Sequence, residues 1–510
     1  MKNLLHILKI VVIILCLFWL GNAKANNLSI SNVQLTGQNT SGGSGSTGNY
    51  IMVQFDISWE NSFRDAINWD AAWVFIKFKT SGGTTWKHAT LTTTGNTAPT
   101  GSTISVPSDG KGAFIYRTDT GSGTLSLTSV KLKWYYVIDS IGDNEAYNIK
   151  VMGCEMVYVP TASFYAGSGG SGSSEFTKTY INTSDATTTP SGSSPKCGGY
   201  PTSQTAPSNA SWPNGYTAFY CMKYEISQGQ YTDFLNCLTR TQQNHMVNST
   251  ISSSSVSGGK NYVMCLQNWA LNRNYIMCPA SGSGTSDAIT FSCAGANISC
   301  NYMTYGQVAS YLDWSGLRPM TELEFEKACR GDQTPVSNEY AWGTTSIYSS
   351  SYSLSHAADS NEVASSASTT TGNAVYFATG ASYIDGVVRT GMFATSSSSR
   401  VTSGASYYGI MEMSGNAWER VVNISTSTGR GFTGTHGDGN LTTGGYATNS
   451  DWPGYSSASA YISNGTGCGY RGGSIAYGST KLRVSDREWI GYTDYSYNWG
   501  RSGRGVRTAP

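Results

Sequence analysis

The chain has 510 residues and a formal net charge of +1, with 12% charged and 39% hydrophobic residues. This length is enough for two or three domains, and the near-neutral charge argues against nucleic acid as the main partner. The 59 glycines and 33 tyrosines, with abundant serine and threonine, indicate a β-rich, loop-rich protein with a polar, uncharged surface. Such a composition suits an extracellular protein.

Residues 1–25 have the pattern of a secretory signal peptide. Lys2 and Lys9 precede or flank an apolar run, and Ala23-Lys24-Ala25 is typical of a cleavage site. The alternative is an N-terminal membrane anchor. No later stretch is long and apolar enough to span a bilayer, so we expect a secreted or cell-surface protein with no stable membrane span after cleavage.

Residues 26–153 are predicted to form an antiparallel β-sandwich. Alternating apolar and polar residues recur at 50–59, 71–80, 86–93 and 131–139, with Ser/Gly-rich turns between such runs. The tryptophans of this unit belong either to the sandwich core and its interface or to an exposed binding platform. The role of the unit stays open.

Residues 154–510 are predicted to form a second domain with polar insertions near 168–211, 240–300 and 344–405. Three helices are expected: one with an apolar face formed by Tyr231, Phe234, Leu235 and Leu238, and two at 303–316 and 318–331. The third has the clearest start, because Thr321 and Glu324 have the spacing of a capping box.

Ten cysteines remain after the signal peptide, and an even number in a secreted chain favours disulfides. Their connectivity cannot be derived from spacing. No spacing matches a CxxC zinc pattern and the five histidines are isolated, which argues against zinc or histidine-ligated iron.

Seven segments follow one another in the order of a known family: "MVYVPTASFYAG", "YCMKYEISQGQYTDFLN", "LRPMTELEFEKACRG", "YAWG", "MSGNAWER", "YRGGS" and "GRGVRTA". In these segments, residues from about 155 to 510 resemble the formylglycine-generating enzyme, or sulfatase-modifying factor, family. The resemblance implies an α+β fold, a loop-rich variant of the C-type lectin fold. It says nothing about residues 26–153.

The resemblance also implies calcium. Its first site falls on the carbonyls of Gly415 and Ala417 and on the side chains of Glu412 and Glu419. Carbonyl and carboxylate oxygens are the ligands that Ca²⁺ prefers. The alternative is a tight turn with Trp418 in the core and Glu419 paired to an arginine.

A second calcium site of the family falls on the side chains of Asn373 and Asp385, with the carbonyls of Ala374 and Val387. Ordinary turn chemistry explains these residues equally well.

The family's oxidases use two cysteines, at the third and eighth positions after the serine of "GGS", to bind Cu(I). Here those positions are Tyr477 and Leu482, and residues 469–510 contain no cysteine. Copper is therefore not expected, and no catalytic residue is assigned. The resemblance also implies a disulfide from Cys329, but Thr508 occupies the position of the partner cysteine. Cys329 pairs elsewhere, with Cys468 as one candidate, or stays a buried thiol.

Aromatic and arginine residues are dense near the "GGS" segment. They form either structural support or a binding groove, for which the candidates are Ser474, Trp418, Tyr477, Arg483, Arg487, Trp489 and Trp499. The sequence thus favours a secreted, non-catalytic structural or binding component that contacts itself, other surface proteins or glycans. The alternative is a formylglycine-generating oxidase acting on a cysteine of a sulfatase or related substrate.

Overall fold

The computed structural model of the chain describes residues 27–510 except 171, 173, 189–205, 208, 253–255, 280–284, 381–383 and 494–495. The fold is α+β and consists mostly of sheet, with few and short helices. The predicted signal peptide and Cys197 lie outside the described residues.

The largest element is an eight-stranded sheet in which all neighbours are antiparallel. Its strands, in spatial order, are β14 (Arg318–Pro319), β22 (Gly505–Thr508), β11 (Phe219–Met222), β8 (Tyr147–Val159), β3 (Asp70–Thr80), β6 (Ala113–Arg117) and β5 (Ser102–Ser105), with β4 (Lys87–His88) also paired to β3. The predicted boundary at 153/154 falls inside β8, so the two predicted units share one continuous sheet.

A three-stranded antiparallel sheet covers one face of this sheet. Its strands are β1 (Ser29–Asn39), β2 (Tyr50–Arg64) and β7 (Gly121–Trp134). Along β2, the side chains from Ile51 to Trp59 alternate between fully and partly buried, as expected for a strand with one face in a core. The buried residues of β2 pack with Val74 and Ile76 of β3 in a single hydrophobic cluster.

The opposite face of β3 packs on helices. Trp73 and Phe75 join a cluster that includes Phe234 and Trp314, and the Trp73 indole N–H donates to the Ser315 carbonyl (2.8 Å). Because β3 lies between two packed layers, its apolar run has no solvent-facing side.

Seven α-helices lie among the described residues, none longer than ten residues. They are α1 (Gln228–Leu235), α2 (Arg240–Met246), α3 (Tyr305–Trp314), α4 (Glu322–Arg330), α5 (Phe377–Gly380), α6 (Arg400–Ser403) and α7 (Ser427–Arg430). The predicted capping box at the start of α4 is confirmed: the Thr321 hydroxyl accepts from the Glu324 N–H (3.2 Å), and the Glu324 carboxylate accepts from the Thr321 N–H (3.0 Å). Single 3₁₀ turns occur at Ala186–Thr188, Ser257–Gly259, Leu271–Arg273 and Ser479–Leu482.

The remaining strands form small sheets around the C-terminal half. Three strands make one sheet, in which β17 (Trp418–Val422) pairs antiparallel with β20 (Cys468–Arg471) and parallel with β21 (Arg501–Ser502). Four further pairs are β9 (Phe164–Ala166) with β10 (Thr179–Ile181), β12 (Ile276–Met277) with β13 (Ser292–Cys293), β15 (Leu354–Ser355) with β16 (Val363–Ala364), and β18 (Tyr455–Ser456) with β19 (Tyr461–Ile462).

The cysteines differ from the sequence expectation. Nine lie among the described residues and all are free thiols; Cys293 is half-buried and the others are buried. Disulfides are therefore not supported for this part of the chain. Cys329 and Cys468 sit in different hydrophobic clusters, so Cys329 is a buried thiol, which was the second of its two alternatives. Within the described residues, no helix has the length and apolarity needed to cross a bilayer.

Candidate functional site

The "SGNAWE" segment forms a tight turn before β17. Gly415 has φ 102° and Asn416 φ 63°, and a Cβ at Gly415 would lie 2.7 Å from the Val375 carbonyl oxygen, so glycine is required there. The turn is held by a buried carboxylate: Glu225 accepts from the Asn416 amide (2.6 Å) and from the Ala417 N–H (3.0 Å).

Glu419 points inward from β17 and is paired with Arg504. The Arg504 Nε donates to both Glu419 carboxylate oxygens (3.0 Å each), and a terminal nitrogen donates to Oε1 (2.6 Å). Both side chains are completely buried. Burial raises the pKa of Glu419, although Arg504 opposes that rise, and it raises the pKa of Glu225 further because Glu419 lies nearby.

Glu412 lies beside this pair but is held by the backbone. One carboxylate oxygen accepts from the Gly391 N–H (2.6 Å), and burial raises the Glu412 pKa to about 7. A calcium ion would need Glu419 free and Glu412 ionised. Because Arg504 already takes both oxygens of Glu419, the donor set does not fit a calcium ion, and the arginine alternative describes this turn.

The second predicted calcium site does not fit either. The Asn373 side-chain oxygen accepts from the Tyr352 hydroxyl (3.0 Å) and the Ser368 N–H (2.9 Å), so its lone pairs are used. Asp385 is exposed and lies next to Asn272 instead. No group of three or more His, Cys, Asp or Glu side chains arranged for a metal occurs in the part of the chain that the structure describes.

The glycine pair after β20 precedes Tyr477 and Leu482, the two residues that the resemblance aligns with the family's cysteines. Gly472 has φ 87°, and its carbonyl accepts from the Gly415 N–H (2.8 Å), which ties this segment to the "SGNAWE" turn. Tyr477 is half-buried at the surface, whereas Leu482 is fully buried in a small hydrophobic cluster. Cys468, the cysteine before the pair, is buried, and burial raises its pKa to about 12. A thiolate at this place is disfavoured.

Aromatic rings cluster around Tyr477. Its ring centroid lies 5.5 Å from Trp418 and 5.3 Å from Trp489, and Trp489 lies 4.6 Å from Tyr492. Tyr492 is 42% exposed. Phe377, whose backbone N–H donates to the Tyr477 carbonyl (3.0 Å), is 60% exposed. We call these five residues the aromatic face.

A second row of side chains supports the aromatic face. Tyr470 of β20 lies 6.0 Å from Trp418, and the Arg420 guanidinium stacks 3.8 Å above the Tyr470 ring. Arg420 and Tyr470 are direct partners across the β17–β20 pair, so strand register brings them together. Phe377, Arg420 and Tyr470 were not identified from the sequence. The signal for Arg420 and Tyr470 was the alternation of side chains along two short strands.

Of the predicted groove residues, Trp418, Tyr477 and Trp489 are brought together. Ser474 is buried, and Arg487 is buried against Glu322 (2.7 Å) with its guanidinium 3.7 Å above Phe176, so both are structural. Trp499 packs against the core and Arg483 is half-buried; neither makes a ring contact with the aromatic face.

Comparisons with known proteins assign the chain to a family. The family model described as the sulfatase-modifying factor enzyme 1-like domain matches residues 152–500. Among solved structures, Treponema denticola variable protein 1 is 11% identical, with a TM-score of 0.32 over 70% of this chain and 96% of that chain. No curated protein matches. Since the family model covers more than half of the chain, the protein belongs to the sulfatase-modifying factor enzyme 1-like domain family.

Proposed function

We propose that the chain is a secreted, non-catalytic member of its family that acts as a structural or binding component outside the cell or at its surface, through the aromatic face. One observation carries the proposal. Tyr477 takes the position of the family's first copper-binding cysteine and lies in a partly exposed cluster of rings. We therefore propose that this place serves as a contact surface and not as a copper site.

The composition of the aromatic face favours a protein partner. Tryptophan, tyrosine and arginine are the residues that most often dominate protein–protein binding energy. The rings of Tyr477, Trp489 and Tyr492 are already held by one another, so little side-chain freedom is lost on binding. A second copy of the chain or another surface protein is the partner that we propose, with a glycan as the other outcome of the test.

The finer architecture belongs to this proposal as well. We interpret residues 154–510 as the lectin-like fold of the family and residues 26–153 as a β-sandwich unit. The hydrophobic cluster between the three-stranded sheet and β3 supports the second interpretation.

The partner can be tested by sedimentation velocity of the mature chain, alone and mixed with isolated surface proteins of the source cell. Tyr492→Ala and Trp489→Ala should each weaken association at least tenfold. Tyr180→Ala, which removes a 52% exposed tyrosine elsewhere, is the matched control. If binding is to glycans alone, or if Tyr180→Ala weakens association as much as Tyr492→Ala, the proposed protein contact is wrong.

Family membership itself is the observation that favours the alternative, a formylglycine-generating oxidase. Oxygen uptake and aldehyde formation on a cysteine-containing peptide, measured with stoichiometric Cu(I), separate the two functions. We expect neither reaction, because residues 469–510 contain no cysteine. Turnover that survives removal of unbound copper would overturn the non-catalytic proposal.

A further inference from the structure

A cleft of about 540 Å³, none of whose lining residues belongs to the aromatic face, lies where the two predicted units meet. One wall is the turn between β2 and β3, residues 63–70, a short hairpin closed by the single bridge of Arg64 to Trp69. The other wall is the segment 398–409. The Asn68 side chain joins the walls, donating to the Tyr408 carbonyl (2.9 Å). The volume is that of a small-molecule site, and such sites favour places where two units meet.

The floor of the cleft has hydrogen-bonding capacity that the protein does not use. Lys223 donates to Asp70 (3.1 Å) and to Glu155 (3.2 Å), which leaves its third N–H without a hydrogen-bond acceptor among the described residues. Asp70 uses Oδ1 for the Ser62 hydroxyl and the Phe63 N–H, while among the described residues Oδ2 accepts only from Lys223. One donor and one acceptor therefore remain side by side, and a single hydroxyl group can satisfy both.

The charges of the lining balance one another. Among the side chains that line the cleft, the carboxylates of Asp65 and Asp70 equal the cations of Lys223 and Arg400 in number. Glu155, which also pairs with Lys223, is not one of the lining residues. A balanced lining provides no excess charge to hold an anion or a cation. A neutral, polyhydroxylated ligand suits it better.

The hairpin wall adds an apolar surface. Phe63 is 41% exposed and Ile67 is 62% exposed, and both line the cleft. The opposite wall carries serines at 398, 399, 403 and 406, together with Tyr407. Each of these serine hydroxyls also makes a hydrogen bond to a nearby backbone group. An apolar aromatic side chain on one wall and polar side chains on the other match the two sides of a sugar ring, one apolar and one polar.

We propose that this cleft binds a neutral saccharide of about two rings, with a sugar hydroxyl between Lys223 and Asp70 and an apolar sugar face on Phe63. The site is independent of the aromatic face. It goes beyond the proposed function, because the ligand is a small saccharide and not a protein.

Isothermal titration of the mature chain with maltose, lactose and cellobiose tests the site. We expect saturable binding of at least one disaccharide, about tenfold weaker in Phe63→Ala and in Ile67→Ser. Because both side chains are exposed, these variants should keep the wild-type melting temperature. The matched control is Phe377→Ala, an exposed phenylalanine of the aromatic face, which should leave the Kd within about twofold.

Two charged monosaccharides, glucuronate and glucosamine, are compared with glucose, the neutral sugar of the same size. Weaker binding of both agrees with the balanced lining. The proposal is overturned if no disaccharide saturates, if Phe377→Ala weakens binding as much as Phe63→Ala, or if a charged monosaccharide binds more tightly than glucose. Failure here leaves the aromatic face untouched, since that proposal is tested with Tyr492→Ala.

Discussion

The buried pair of Glu419 and Arg504 provides the sharpest test of the structure, because calcium and arginine make opposite demands on the same carboxylate. In Arg504→Met, Glu419 would lose three hydrogen bonds and its only close positive charge. The carbonyls of Met222 and Met411 would lose their donors as well (2.7 Å each). A buried carboxylate without a cation is strongly unfavourable.

The expected loss is about 3–5 kcal/mol of unfolding free energy, the usual range for removing one partner of a buried ion pair. Unfolding entropy of about 2.1 cal/mol/K per residue over 510 residues amounts to about 1.1 kcal/mol/K. The variant should therefore melt about 3–5 °C below the wild type. Its deficit should shrink as the pH falls, because burial raises the pKa of Glu419 and the folded variant takes up a proton there.

Differential scanning calorimetry in chelator and in excess calcium measures these shifts. The double variant Glu419→Gln, Arg504→Met should recover part of the loss, since both charges are gone. The wild type should melt at the same temperature with and without chelator. If chelation lowers the wild-type melting temperature while Arg504→Met has little effect, Glu419 binds calcium and the ion-pair interpretation fails.

Lys77, Thr321 and two cysteines provide independent tests. Burial lowers the pKa of Lys77 to about 7, below its unfolded value, so wild-type stability should rise by about 2 kcal/mol from about pH 7 to about pH 9. Lys77→Met should remove that rise in urea unfolding, and an unchanged slope would contradict the assignment. Thr321→Ala should cost about 1 kcal/mol through loss of the α4 cap, whereas Thr321→Ser should retain most of it. Iodoacetamide should label half-buried Cys293 before buried Cys468 in a peptide mass-spectrometry time course, and a disulfide at either residue would refute the free-thiol state.

Local patterns were sufficient for the features that depend on neighbouring residues. The capping box at Thr321 and Glu324 is a contact within one helical turn, so four residues of sequence contain all of its chemistry. The order of the family motifs and the replacement of the two cysteines by Tyr477 and Leu482 are likewise complete in the sequence. The sequence also suggested an arginine partner for Glu419 as the alternative to calcium, although it did not identify which arginine.

The tertiary structure decided every contact between distant segments. Arg504 reaches Glu419 across 85 residues, and Arg420 meets Tyr470 only because β17 and β20 pair in one register. The number of cysteines suggested disulfides, yet the nine cysteines among the described residues are free thiols, all but one of them buried. The cleft between residues 63–70 and 398–409 exists only after both segments have docked on the shared sheet. The alternation of apolar and polar residues and the capping of helices are properties of adjacent residues. The pairings between distant segments depend on the closure of long loops, and no local sequence pattern contains that information.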